Sequence, residues 1–296
     1  MKATVFEEQL IRTLETRSGG TLMGKPDLIP VNNRAEVRIL KLQMEGGILM
    51  PIVYSEDYEL RYNQGEKLET LADEILEQVR RTRERMPVPE NFFRKYEAVR
   101  GGIYCKVISA DKNRALLEQV PHERHEDLAV VYFYELQEKW MEDASILIRN
   151  EHLELWGISV CQVKQDAWEN TLEKKQVKFC KLSRVLAEFG LEETEEMEEN
   201  PLYLLTNVQG TFGAGTAFYP GVLASCAEQM GSDLILLPSS IHEWLLLSAD
   251  CRRTEADGEE LRSMVREINR TQVAEKEVLS DEIYYYSRKS DRLTRI

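Results

Sequence analysis

The chain has 296 residues, 43% hydrophobic and 30% charged, with a formal net charge of -14. That apolar share supports a packed core and excludes wholesale disorder, and at roughly 100–200 residues per domain the length fits one large or two modest domains. Fixed negative charge repels nucleic-acid phosphate and anionic lipid, which disfavours direct nucleic-acid binding and suits a basic protein partner or mimicry of a phosphate backbone.

Phe6, Leu10, Ile11 and Leu14 fall at helical spacing, predicting a helix from Phe6 to Arg17 that Ser18-Gly19-Gly20 stops. Residues up to Asn33 read as irregular because Pro26 and Pro30 interrupt them. Val37, Ile39 and Leu42 begin a strand, Gly46-Gly47 turns it, and 48–54 returns as the second arm of a hairpin. Leu68, Leu71, Ala72, Ile75, Leu76 and Val79 stripe a long amphipathic helix. Its acidic start and its arginine end (Arg80, Arg81, Arg83, Arg85) match the helix dipole, and Pro87 and Pro89 close it.

A strand over 103–108 and a short helix over 111–118 follow. The Val-, Tyr- and Phe-rich run 128–136 then pairs with 145–149. Ser159 and Gln162 form a capping-box pattern that opens a helix through Val163, Ala167 and Trp168, and another helix covers 182–189. The run 192–199 holds six glutamates, the composition of a solvated linker. Beyond it come a strand over 202–206, a helix over 222–230, and apolar strands 234–237 and 244–247 around Pro238-Ser239-Ser240. A helix striped by Leu261, Met264, Val265 and Ile268, a strand over 283–286 and a basic tail end the chain. The punctuation divides it into an N-terminal helix–hairpin–helix unit (1–88), a central unit ending in the acidic linker (89–200) and a C-terminal unit (201–296). Strands group in hairpins without steady β-α alternation. The predicted class is α+β: mixed, mainly antiparallel sheets with helices packed between and on one face.

His242-Glu243 places an imidazole beside a carboxylate, a pairing suited to general acid–base work, with Ser239 or Ser240 as a conceivable nucleophile. Neighbours on a strand point to opposite faces, so a purely structural reading stands beside it. Position 246 is Leu, which excludes the two-histidine zinc-protease pattern. Gly210, Gly213 and Gly215 follow a strand. Backbone amides of such a turn can cradle a ligand phosphate, yet the spacing is neither G-x-G-x-x-G nor a P-loop, and a strand returning over 216–219 would make these glycines a hairpin turn.

His122, His125 and Asp127 lie in a polar cluster that reads as a solvated connector, since two histidines and one acid fall short of a closed metal site. Asp166, Glu169 and Asn170 end a helix, with Asn170 a candidate cap. Tyr284, Tyr285 and Tyr286 alternate across a strand, a packing pattern first and a stacking platform second. The five cysteines form no CxxC pair and read as buried free thiols in a reducing cytoplasm. The first residues lack the unbroken apolar core of a secretory leader, and no apolar run approaches the ~18 residues of a membrane span. No metal or cofactor motif is present in the sequence.

Several segments carry a resemblance: SILIRNEHLELWGISV with DAWENT, YLLTN, GVLASCAEQMGSDLILLPSSIHEWLLL, MVREINRTQVAEKEVLSDEIYYYSR and, earlier, GGILMPIVYSEDYELRYNQGEKLETLADEIL. Together they resemble a family of proteins of unknown function from anaerobic gut bacteria, over most of the chain. The A-x-x-N-T helix end and the elements around Pro-Ser-Ser resemble, more loosely, a second bacterial family of similar size. The resemblance implies the same fold, a bacterial cytoplasmic setting and an association with mobile genetic elements, and it transfers no catalytic residue. The sequence thus leads to a non-enzymatic interaction or regulatory protein acting on a basic or nucleic-acid-handling partner. The alternative is a hydrolase-like enzyme using His242, Glu243 and Ser240.

Overall fold

The computed structural model describes residues 3–44, 52–85, 92–136, 145–188, 190, 201–251 and 255–296. The expected Gly46-Gly47 turn and the glutamate run 192–199 lie outside the described residues. The chain forms two compact units, one of residues 1–95 with 136–144, the other of residues 96–135 with 145–296.

In the first unit, α1 (Val5–Arg17) precedes β1 (Leu22–Val31), β2 (Arg34–Met44), β3 (Ile52–Tyr54), α2 (Ser55–Asn63) and α3 (Leu68–Arg85). The strands make an antiparallel sheet in the order β1-β2-β3. Leu10 and Leu14 of α1, Leu40 and Leu42 of β2, and Leu71 and Ile75 of α3 close a core in which all six are fully buried. Each such side chain contributes roughly 1.5–3 kcal/mol relative to exposure.

Thr4 caps α1 through a reciprocal capping box with Glu7. The Glu7 carboxylate is itself buried and accepts from Ser55 Oγ at 2.7 Å, with the Arg38 guanidinium at 3.5 Å. The segment expected to be irregular before Asn33 is instead β1, whose Pro26 sits opposite Leu40. β1 lies at the sheet edge, where proline costs no ladder bond on the solvent side.

The second unit runs α4 (Tyr96–Val99), β4 (Ile103–Ser109), α5 (Arg114–Leu117), β5 (His122–His125), β6 (Leu128–Glu135), β7 (Ser145–Leu147), α6 (Asn150–Trp156) and α7 (Val160–Lys174). It continues with β8 (Val177–Lys181), α8 (Leu182–Glu188), β9 (Tyr203–Asn207), α9 (Val222–Met230), β10 (Leu234–Ser240), β11 (Glu243–Ser248), α10 (Glu255–Thr271), β12 (Tyr284–Ser287) and β13 (Arg292–Arg295). β6 pairs with β4, β5 and β7 in one sheet, and a six-stranded sheet has the order β13-β12-β10-β11-β9-β8. The pairings among the described residues are antiparallel, as the α+β expectation requires. β8 and β9, on either side of the glutamate run, pair directly from Val177↔Asn207 to Lys181↔Tyr203. Helix α7 lies against β4: the Cys105 N–H donates to Thr171 Oγ1 at 2.9 Å, and Asn170 Nδ2 donates to the carbonyls of Arg100 and Ile103.

One buried side chain couples the two sheets. Asp127 closes the β5–β6 hairpin, and its Oδ2 accepts from Ser280 Oγ and from the Tyr284 hydroxyl of β12, both at 2.8 Å. The residue is 5% exposed, and its Oδ1 has no hydrogen-bond partner among the described residues. Burial pushes the Tyr284 hydroxyl pKa up, with the Asp127 charge adding to the shift, so it stays a donor at any ordinary pH. Removing the carboxylate strands two buried hydroxyls. Asp127→Ala is therefore expected to lower stability by about 3 kcal/mol in urea unfolding, and Tyr284→Phe by about 1 kcal/mol.

Candidate functional site

The β10–β11 hairpin determines where His242 lies. Its register runs Leu237↔Leu245, Pro238↔Trp244 and Ser240↔Glu243, shifting between Pro238 and Ser240. The Pro-Ser-Ser segment is thus strand, and the turn is Ile241-His242. Three neighbours pin that turn. The Ile241 N–H donates to the Glu277 carbonyl at 2.8 Å, Thr206 Oγ1 donates to the His242 carbonyl at 2.8 Å, and the Ala214 N–H donates to the Ile241 carbonyl at 3.3 Å.

The half-buried His242 ring accepts the Phe212 N–H on Nδ1 at 3.1 Å and stacks on the Phe212 ring at 5.6 Å and 14°. Burial holds the imidazole pKa below its ordinary value against the pull of Glu277 and Glu243. A neutral ring that accepts on Nδ1 carries its proton on Nε2. Glu243 accepts from Ser239 Oγ at 3.2 Å, and Ser240 Oγ accepts the His242 backbone N–H at 3.0 Å. The hairpin therefore gathers Ser239, Ser240 and Glu243 around the turn that holds His242, with the imidazole bonded to neither the carboxylate nor a hydroxyl among the described residues.

The glycine segment serves the same junction. Gly210 and Phe212 adopt left-handed backbone, and residues 213–218 form a 3-10 helix rather than the expected hairpin turn with a returning strand. A Cβ on Gly213 would lie 2.1 Å from Thr206 Oγ1, 2.5 Å from the His242 carbonyl oxygen and 2.7 Å from the Asn207 nitrogen. The space a phosphate would need at Gly213 is filled by the chain's own backbone. Trp244, fully buried, donates its Nε1 to the Ala214 carbonyl at 2.7 Å and locks the helix onto β11. Asn207 donates Nδ2 to the Thr211 carbonyl at 2.8 Å, and its buried Oδ1 has no partner among the described residues.

Sequence reasoning passes over Lys106. It sits at the centre of the apolar strand Ile103–Ser109, with its ammonium 4.4 Å from the Phe212 ring centroid and 5.4 Å from that of Phe133. The two rings meet edge to face at 4.9 Å. Among the described residues Lys106 has neither a carboxylate nor a hydrogen-bond partner, whereas Lys175 pairs with Glu135 and Lys164 with Glu123. Desolvation pushes its pKa down to about 8. The available signal is a lone charge in the middle of a seven-residue apolar strand.

The other sequence candidates are dispersed. The cluster 122–127 is not a loop connector: residues 122–125 form edge strand β5, and Asp127 is buried. Among the described residues no group of three His, Cys, Asp or Glu is placed to hold a metal. Asp166 is buried and accepts from the Tyr96 hydroxyl at 2.6 Å. Asn170 is a tie to β4 and its approach, not a helix cap. Each tyrosine of 284–286 donates to a different aspartate, Asp127, Asp233 or Asp291. Arg80 and Arg81 pair with Glu77. Cys105 and Cys226 are buried thiols, but Cys161 is exposed and Cys180 half-buried. Among the described residues, no helix is long and apolar enough to cross a membrane.

The sequence matches a family of unknown function, DUF5688, over residues 4–288. The chain belongs to this family. No curated protein and no solved structure matches it. The span matched to DUF5688 takes in both compact units and contains Lys106, Gly213 and His242, while Asp291 and β13 fall beyond it.

Three outcomes follow from this geometry. Gly213→Ala is expected to cost at least about 2 kcal/mol in chemical denaturation, because the added methyl meets backbone on two sides. Lys106→Met is expected to raise stability at pH 7 by about 2 kcal/mol, since it removes a desolvated charge with no counter-ion. In the parent protein the unfolded chain holds the Lys106 proton up to its ordinary 10.5 and the folded chain only to about 8. The stability gap between Lys106→Met and the parent should therefore narrow as pH rises across that window, by at most about 1.4 kcal/mol per unit.

Proposed function

We propose that the chain acts by binding, as a non-enzymatic interaction or regulatory protein of the cytoplasm that engages a basic protein partner. One observation carries the reading. The groups best suited to catalysis in the sequence are committed to their own turn: Ser240 to the His242 backbone, Glu243 to Ser239, and His242 Nδ1 to the Phe212 backbone. The net charge of -14 supports a basic partner, and the six glutamates of the run 192–199 contribute to it. The association with mobile elements implied by the resemblance favours a nucleic-acid-handling protein as that partner, bound through its basic surface and without direct nucleic-acid contact.

A second reading, a hydrolase-like enzyme, keeps one favourable observation. The imidazole is held neutral near neutrality, with Nε2 without a partner among the described residues. The two separate in one experiment on the triple variant Ser240→Ala, His242→Ala, Glu243→Gln. The binding reading expects the immobilised chain to retain basic proteins of its host at about 50 mM salt and release them by about 500 mM, equally in parent and variant. Failure to retain any basic protein, together with an ester or amide hydrolysis that the triple variant loses, would overturn it.

A further inference from the structure

The second unit has a groove of about 410 Å³ to which the 239–243 turn contributes nothing. It is the size of a small-ligand site. Its walls come from three places: His125 and Glu126 of the β5–β6 hairpin, Phe218 at the end of the 3-10 helix, and Tyr284, Asp291 and Arg292 around the β12–β13 hairpin. Glu126 and Asp291 both hold left-handed backbone, at φ 55° and 47°. Aspartate visits that region more readily than glutamate, so it is the Glu126 turn that accepts strain where a carboxylate stands on the rim.

Both carboxylates are held by one oxygen. Glu126 Oε2 accepts the Arg295 N–H at 2.8 Å, and Asp291 Oδ1 accepts the Tyr286 hydroxyl at 2.6 Å. Between the lining residues Glu126 and Leu128 lies Asp127, bonded to the lining Tyr284, with its buried Oδ1 unpartnered among the described residues. The half-buried Phe218 ring packs against His125 at 4.9 Å and offers an aromatic surface inside the groove. Three carboxylates, Glu126 and Asp291 on the wall and the adjoining Asp127, stand against two guanidiniums, Arg292 on the wall and Arg295 near enough to act on Tyr284, and leave the field negative. An aromatic face and apolar floor beside that field fit a cation on an apolar stem.

We propose that this groove binds a guanidinium or alkylammonium group carried on an apolar stem. The cation lies over Phe218 and pairs with the unengaged oxygens of Asp291 and Glu126. The inference rests on the reading of a basic partner and gives it a place: an arginine or lysine side chain of the partner enters here. A free guanidine or polyamine has the same chemistry, so the test uses both sources.

The full chain is titrated by calorimetry with agmatine and, separately, with an oligo-arginine peptide, alongside Asp291→Asn, Phe218→Ala and the remote control Glu77→Gln. Thermal unfolding verifies that each variant is folded. Saturable binding of either probe is expected, weakened about tenfold or more by Asp291→Asn and by Phe218→Ala and unchanged by Glu77→Gln. Peptide binding tighter than agmatine binding assigns the groove to a protein partner, and the reverse to a small molecule. No binding up to about 10 mM, equal affinity in all variants, or tighter binding of inorganic phosphate through Arg292 and His125 overturns the proposal. Salt-sensitive retention of basic proteins that survives Asp291→Asn and Phe218→Ala overturns the groove as the partner's seat while leaving the binding reading intact. Agmatine binding without any retained basic protein does the opposite.

Discussion

A buried carboxylate is tolerable only if it has partners, and in the larger unit the one that ties the two sheets together is Asp127. Its two hydroxyl donors come from Ser280 and from Tyr284 of β12, more than 150 residues along the chain. The Asp127 carbonyl also accepts the Ala110 N–H at 2.7 Å, at the end of β4. One residue thereby fixes the hairpin of the smaller sheet, the exit of its first strand and the placement of a strand in the six-stranded sheet. Ion and hydrogen-bond networks of this kind add little net energy when complete, but leave a large deficit when one member is missing. They act chiefly to select one arrangement of the sheets over its competitors.

The apolar pattern made the interior of this fold readable and left its margins obscure. β4, β6, β10 and β11 are strongly apolar, and each was visible from its residues. β1, β5, β8 and β13 were not, and all four are edge strands. Natural sheets protect their edges with prolines, charges and short length, the very features that remove a strand from a hydrophobicity profile. Pro26 and Pro30 hid β1. His-Glu-Arg-His hid β5, and Arg292 and Arg295 hid β13.

The site was less legible for a different reason. His242 and Gly213 could be singled out from composition and turn chemistry. Their tasks could not, because Gly213 meets Thr206, Asn207 and His242 through packing that no local spacing encodes. Lys106 shows the same limit. Its isolation depends on Phe133 and Phe212, which reach it from another strand and from a turn late in the chain. Rings and cations then continue from it: Phe133 lies 6.0 Å from Tyr104, over which the ammonium of Lys175 sits at 4.8 Å. The aromatic residues of this unit pack the core and also set the local dielectric around two lysines. One of those lysines has a carboxylate beside it and the other does not.

The charged margins of the six-stranded sheet bear on how this chain behaves in a crowd. β8 presents Lys178 and Lys181 at one border, and β13 presents Arg292 and Arg295 at the other. Were one molecule to extend its sheet by pairing a border strand with the same strand of another, cations would oppose cations along the seam. A chain that is anionic in sum thus keeps cationic side chains on the border strands where sheet extension between molecules would begin.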